Sequence, residues 1–246
     1  MFDFLRSRKR PPADFTGLSL DMHAHWLPGL DDGAKTMADS LRLIGQLVDM
    51  GYTKLIATPH VMADFYPNTP QTIRAALARV REAVADTELV VELDAAAEYL
   101  IDEGFVHHLE ANELLTLPGK HVLVEFAFVA APANRDALFF ELMTKGYQPV
   151  LAHPERYRFY HNSFEEYRHM VARGVKLQVN ILSLMGHYGR TEQKIAEQLI
   201  DQQLVHLLGT DAHHEGHLEG LRKFLNTSKY SKLLTALPWQ NREWVT

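Results

Sequence analysis

The stretch Ser40-Leu41-Arg42-Leu43-Ile44-Gly45-Gln46-Leu47-Val48-Asp49-Met50-Gly51-Tyr52-Thr53-Lys54-Leu55-Ile56-Ala57-Thr58-Pro59-His60 carries the grammar of the whole chain. Leu41, Ile44, Leu47 and Val48 keep the spacing of one helix face. Gly51 follows, and a glycine just past a helix end supplies the left-handed cap. Lys54 to Ala57 is then a short run suited to a buried strand, and it ends in the polar Thr58-Pro59-His60. The same order returns at Leu138 to Lys145, Gly146 and Pro149 to Ala152, and at Tyr167 to Arg173, Gly174 and Val175 to Val179. Helix starts are marked as well. Thr69 precedes Pro70, a capping hydroxyl before proline at the first helical position. Ser163 followed by Glu166 predicts a capping box.

Working outward, the runs suited to buried strands are Leu18 to Met22, Leu55 to Thr58, Leu89 to Leu93, Val122 to Phe126, Val150 to Ala152, Leu177 to Val179 and Val205 to Leu208. Seven strands separated by helical stretches imply an α/β fold around a parallel sheet. The 246 residues suit one such domain, since α/β barrels reach ~250 residues undivided. A closed or nearly closed barrel is expected, with a doubly wound open sheet as the alternative that periodicity does not exclude.

Composition removes several classes of function. A net charge of −6 argues against a general nucleic-acid binder. The absence of cysteine excludes disulfides, thiolate metal sites and every mechanism with a cysteine nucleophile. No apolar run approaches the ~20 residues needed to span a bilayer. Met1 to Pro12 holds Arg6, Arg8, Lys9 and Arg10 with no apolar segment behind them, so it does not read as a secretory signal. A basic tail over residues 1–16, a domain over 17–246 and a cytoplasmic location are expected.

Polar residues gather where the apolar runs stop. The first leads into Asp21-Met22-His23-Ala24-His25 and then Asp31-Asp32-Gly33. The second ends at His60, the third leads to Glu98, the fourth holds Glu125, the fifth ends in His153-Pro154-Glu155-Arg156, and the last ends in Thr210-Asp211-Ala212-His213. Parallel sheets and barrels put their chemistry at that end. His23 and His25 stand two apart, which on a strand puts both imidazoles on one face. Glu125 sits inside an apolar run, and a buried carboxylate needs a cation or a proton beside it. The candidate ligands are His23, His25, His60, His153, His213, Asp31, Glu98, Glu125 and Asp211. They exceed what one ion needs, so two or three divalent ions are expected. A nitrogen and oxygen set without sulfur suits zinc, manganese, iron or cobalt. Three such ions against four carboxylates leave a positive site, which suits a phosphate substrate.

These motifs together resemble the PHP (polymerase and histidinol phosphatase) superfamily. The variant Leu27-Pro28-Gly29-Leu30-Asp31-Asp32-Gly33 and the run His153 to Tyr157 resemble one branch of it: the bacterial metal-dependent tyrosine phosphatases of capsular and exopolysaccharide synthesis. The resemblance spans roughly Leu20 to His213. It implies a distorted (β/α)7 barrel with a trinuclear site, manganese-dependent in use. It puts one ion on His23, His25, Glu98 and Asp211, a second on Glu98, Glu125 and His153, and a third on Asp31, His60 and His213. It gives Arg156 the substrate phosphate and lets His213 or a bound water protonate the leaving oxygen. The implied reaction is in-line attack of a metal-bridging hydroxide on a phosphotyrosine protein, a bacterial tyrosine kinase tail in particular. A small-molecule phosphatase of the histidinol-phosphatase type is the alternative. Thr210 departs from the commoner serine but keeps a hydroxyl.

Other residues have simpler readings. Asp32 reads as a turn residue beside Gly33 or an outer partner of a ligand histidine. Tyr66 and Tyr188 read as ordinary loop packing or as aromatic walls. His214 and His217 flank the last motif and could line its mouth. Arg135 and Arg190 read as surface arginines or phosphate contacts.

Overall fold

Thr36 and Thr69 each close a capping box, their hydroxyls accepting from the backbone of Asp39 and Thr72 while those residues' side chains answer the cap N–H groups. From these starts run α1 (Met37–Asp49) and α2 (Pro70–Ala85). Gly51, Gly146 and Gly174 end helices at φ of 102°, 81° and 97°, the left-handed region that side chains with a Cβ avoid. The structure, a computed structural model, describes residues 13–245. The basic stretch Met1 to Pro12 lies outside them. Phe15, inside the expected tail, is already fully buried. Ser163 precedes α5 (Phe164–Ala172) but makes no side-chain cap bond. Its expected partner Glu166 is taken by Arg135, whose Nη2 lies 3.1 Å away.

The strands are β1 (Leu20–Ala24), β2 (Lys54–Ala57), β3 (His60–Val61), β4 (Glu92–Ala95), β5 (Glu98–Leu100), β6 (His121–Glu125), β7 (Gln148–Ala152), β8 (Lys176–Asn180) and β9 (Leu207–Gly209). Every paired neighbour is parallel. They form a three-stranded sheet, β1-β2-β4, and a six-stranded sheet, β3-β5-β6-β7-β8-β9. The expected strand over Leu89 to Leu93 begins only at Glu92, and Val90 points into solvent. The apolar run there packs at a sheet margin and is not itself a strand.

Two short strands, β3 and β5, lie beyond the expected runs and continue β2 and β4 after a break. β2 stops at Ala57 and resumes as β3 after Pro59, which has no N–H to give a ladder. β4 stops beside it at Ala95 and resumes as β5. Backbone bonds Ala96 N to Ala57 O (2.8 Å) and Glu98 N to Pro59 O (3.1 Å) bridge the paired breaks. Across the far margin, Asp211 N donates to His23 O at 2.8 Å and His25 N to Ala212 O at 2.9 Å, so β1 also touches the segment leaving β9.

Both faces of the strands are buried, as continuous apolar runs require. One face, with Leu55, Val124, Leu151 and Val179, packs under the helices in the larger core. The other, with Leu20, Met22, Ile56, Leu123, Val150 and Leu207, forms a separate inner cluster that Trp244 helps to close. Fully burying a side chain of this size is worth roughly 1.5–3 kcal/mol.

Asn241 joins the ends of the chain. It is fully buried; its amide donates to Leu208 O at 2.7 Å and Leu20 O at 3.2 Å, and its oxygen accepts from Leu208 N at 3.0 Å. Asn241→Ala would leave those backbone groups unpaired, so a loss of about 3 kcal/mol of stability is expected in urea unfolding. A loss within experimental error would show that the seam does not depend on it.

Candidate metal centre

The expected ligands gather around the ends and breaks of the strands, with Asp31 in the turn that follows β1. β1 brings His23 and His25, β3 opens with His60, β5 opens with Glu98 and β6 ends with Glu125. His153 follows β7, and Asp211 and His213 follow β9. The β1–β2 register slips between Asp21 and Ala24. Such a bulge re-aims side chains, so Met22 joins the inner cluster while His23 and His25 still meet above it. His153 (φ 34°) and Asp211 (φ 51°) are held in left-handed backbone, a strain of order 1 kcal/mol or more that clusters at functional sites.

Three groups of donors form. In the first, His23 Nε2 lies 3.1 Å from Glu98 Oε2 and 3.4 Å from Asp211 Oδ1, and His25 Nε2 lies 3.4 Å from both oxygens. The two Nε2 atoms are 3.3 Å apart. A tetrahedral ion with ligand distances of about 2 Å imposes this spacing on its donors. In the second, His60 Nδ1 lies 3.2 Å from Glu98 Oε2 and 2.9 Å from Glu125 Oε1. His60 Nδ1 and Glu125 Oε1 are buried without a hydrogen bond, close but not aligned for one. Orphaned polar atoms facing each other at this range fit a shared cation. His153 Nε2 joins this group from the side, 2.9 Å from Glu98 Oε1.

The third group differs from the expectation in two ways: it adds His25, and Asp32 stands in the place of Asp31. It holds His25, His60 and His213 with Asp32, whose Oδ1 lies 3.5 Å from His60 Nε2 and 3.4 Å from His213 Nε2. Asp31 is turned away. Its Oδ2 takes His25 Nδ1 at 2.7 Å and the His60 amide at 3.0 Å, and its Oδ1 takes the Gly33 amide at 2.9 Å. Asp31 therefore orients two histidines and Asp32 faces the cluster, the reverse of the sequence reading. Two adjacent acids in one turn point to opposite sides, and spacing alone cannot say which points inward.

The strand that offered no ligand in sequence proves to hold others in place. Gln178 and Asn180 of β8 are fully buried. His23 Nδ1 donates to Gln178 Oε1 (2.8 Å), Gln178 Nε2 to Asn180 Oδ1 (2.9 Å), and Asn180 Nδ2 to Asp211 Oδ2 (2.6 Å). This one-way chain leaves the His23 Nε2 lone pair facing the donors, as an imidazole ligand requires. Neutral amides carry no sequence signal of this role.

The charges confirm how strongly the place favours cations. Burial disfavours protonated His23, yet Glu98 and Asp211 outweigh it and push it up to about 9. Burial works against His25 and His60 in the same way, and their carboxylate neighbours raise both. Burial alone would raise Glu98 and Asp211, but the surrounding imidazoles hold both well below the usual carboxylate range.

A cavity of about 420 Å³ opens over the groups, lined by Asp32, His60, Glu125, His153, Asp211 and His213, with Tyr66, Phe128, Arg156 and Tyr188 above. Arg156 Nη1 lies 3.3 Å from Asp211 Oδ2, and its guanidinium is held between the rings of Phe128 (4.6 Å) and Tyr188 (4.3 Å). His214 and His217 also line this cavity. Arg135 does not; it pairs with Asp136, Glu166 and the Tyr160 hydroxyl. Phe128 was not singled out in the sequence, where nothing distinguishes it from core phenylalanines.

Comparison with known proteins agrees with this centre. Residues 19–225 match a family model described as "Capsular polysaccharide synthesis, CpsB/CapC". The tyrosine-protein phosphatase YwqE of Bacillus subtilis is 33% identical over 196 residues, covering 79% of this chain and 77% of that one. The tyrosine-protein phosphatase CpsB of Streptococcus pneumoniae is 26% identical over 204 residues, covering 79% and 83%. A solved structure from work on YwqE and CpsB, described as unique metal-dependent tyrosine phosphatases, superposes with a TM-score of 0.74 at 29% identity, over 88% of this chain and 94% of that one. A lactonase of Listeria monocytogenes, at 9% identity and a TM-score of 0.56, shares the fold alone.

Two outcomes are expected. Because ligation needs neutral imidazole and His23 is held near 9, manganese binding at pH 7.5 should release protons, and affinity should rise with pH up to about 9. Calorimetry in buffers of different ionisation heat reads this; a buffer-independent heat would refute it. Gln178→Leu should weaken manganese binding about 10–100-fold with the fold retained, the usual cost of removing a histidine's outer partner.

Proposed function

The chain belongs to the capsular polysaccharide synthesis family CpsB/CapC, and from that premise we propose that it is a metal-dependent protein-tyrosine phosphatase. The observation that carries the reading is the three donor groups meeting beneath a part-buried arginine in one open cavity. His23, His25, Glu98 and Asp211 would hold one ion, Glu98, Glu125 and His153 a second, and Asp32 with His60 and His213 a third, so two or three ions fit. The nitrogen and oxygen donors suit manganese, with zinc, iron or cobalt as alternatives. Such ions supply Lewis acidity and a water acidic enough to attack phosphorus near neutral pH.

The protein's own part is to hold the phosphate and its leaving group. Burial opposes the charge on Arg156, but Asp211 beside it outweighs that and keeps the guanidinium cationic. The rings of Phe128 and Tyr188 fix its plane, so its N–H groups meet the equatorial phosphate oxygens without reorganising. A tyrosyl group leaves as phenolate with pKa ≈ 10 and asks less of a general acid than an alkoxide does. His213, its Nδ1 hydrogen-bonded to Asp211 O at 2.9 Å, turns Nε2 to the third donor group. No cysteine is present, so no thiophosphate intermediate forms.

Several finer readings belong to the same proposal. The bonds across the broken strands and between β1 and the end of β9 support a distorted (β/α)7 barrel over residues 17–246. The substrate is read as the phosphotyrosine tail of a bacterial tyrosine kinase of polysaccharide export. No helix among the described residues is long and apolar enough to cross a membrane, which supports a cytoplasmic enzyme.

Phosphate release from a phosphotyrosine peptide and from histidinol phosphate, with manganese and with chelator, tests this. The peptide should be hydrolysed, chelator should stop it, and manganese should restore it. Arg156→Ala and His153→Ala should each lower kcat/KM by 10²-fold or more with an unchanged circular dichroism spectrum. Near-normal turnover in the Arg156 variant would remove it from the mechanism, and release from neither substrate would end the phosphatase reading.

A further inference from the structure

The described residues expose five large apolar side chains, and three of them, Phe65, Phe128 and Val129, belong to the two loops that follow β3 and β6. Those loops carry the aromatic walls of the cavity. Met62 and Tyr66 pair their backbones in a small hairpin, at 2.9 and 3.1 Å, with Phe65 at its tip. The hairpin is anchored by Ala63 N to Asp102 Oδ2 (2.9 Å) and by the Asn68 amide to Leu30 O and His60 O (2.8 Å each). Tyr66 is thereby stacked on His60, with centroids 5.7 Å apart and planes at 16°. Opposite it, Phe128 stacks on His153 at 5.9 Å and 28°, half exposed and lining the same cavity.

Each wall thus lies on an imidazole of the metal centre. A phosphate resting among those imidazoles has its ester oxygen directed outward, between the two rings. A flat aromatic group on that oxygen meets both faces, whereas an alkyl chain leaves both rings in water. We propose that Tyr66 and Phe128 form a slot that selects aryl over alkyl phosphomonoesters. This makes them specificity residues for the phosphotyrosine ring, a role that rests on the phosphatase reading for its chemistry but not for its binding preference. Ring stacking of this kind favours the bound aryl group by roughly three- to tenfold per wall.

Phosphonates, whose P–C bond is not hydrolysed, separate binding from turnover. Calorimetry on the manganese-loaded protein would compare phenylphosphonate with methylphosphonate. The wild-type chain should prefer the phenyl compound about tenfold or more. Tyr66→Ala and Phe128→Ala should each cut that ratio about threefold or more, and Tyr66→Phe should keep it. Phe128 also steadies Arg156, and losing only that support would weaken both phosphonates equally and leave the ratio intact. An intact ratio in both alanine variants, or no phenyl preference in the wild type, overturns the slot. If the Phe128 variant fails to fold, the Tyr66 variant alone decides. A phenyl preference in a protein that hydrolyses no phosphomonoester would sustain the slot and reject the phosphatase.

Discussion

Charge balance in a dry space governs this molecule. Glu98 and Asp211 are almost wholly shut off from water, Glu125 nearly so, and each lies within hydrogen-bonding range of an imidazole. Carboxylates buried this densely are tolerable only with positive charge among them. Without ions, protonated histidines play that part, as the raised His23, His25 and His60 show. The surrounding architecture delivers these groups together: the paired strands run parallel, and their ends and breaks bring the side chains to one place.

The outer layer makes the arrangement rigid. Asp31 fixes His25, Gln178 fixes His23, and Asn180 fixes Asp211, each through a bond no longer than 2.8 Å. Behind them, Thr210 donates its hydroxyl to Asp21 Oδ2 at 2.5 Å. Burial pushes the Asp21 carboxyl up to about 6, with Thr210 and His23 working against it. Glu155, next to Arg156, is buried too, and accepts from Asn180 N and the Ser183 hydroxyl. Gln178, Asn180 and Thr210 find their partners inside the protein, while Glu155 keeps a buried Oε2 without a hydrogen bond.

How far the sequence could be read depended on which interactions leave a local mark. His23-x-His25 and the polar ends of apolar runs do so, because strand periodicity and buried charge are both visible in one dimension. The grouping of His23, His25, Glu98 and Asp211 followed from the resemblance, and the structure brings these four side chains together. The choice between Asp31 and Asp32 was not legible, since a turn fixes it. Gln178 and Asn180 were missed because amides on a buried strand look like ordinary polar residues until their partners, far away in the chain, are known. The short strands β3 and β5 were missed because each opens with a polar ligand residue and is too brief to show an apolar run.

The meeting of β1 with the segment after β9 has a kinetic side. Asp21 and Thr210 are 189 residues apart, and the first donor group draws its members from both of those regions. Contacts so distant along a chain form late and slow the search for the native state. A partly grown polypeptide therefore lacks the first and third donor groups, and capture of their ions coincides with the last stage of folding. An ion that binds only the finished form then pulls that slow equilibrium forward by mass action, so availability of the metal in the cell would set how much of the protein persists.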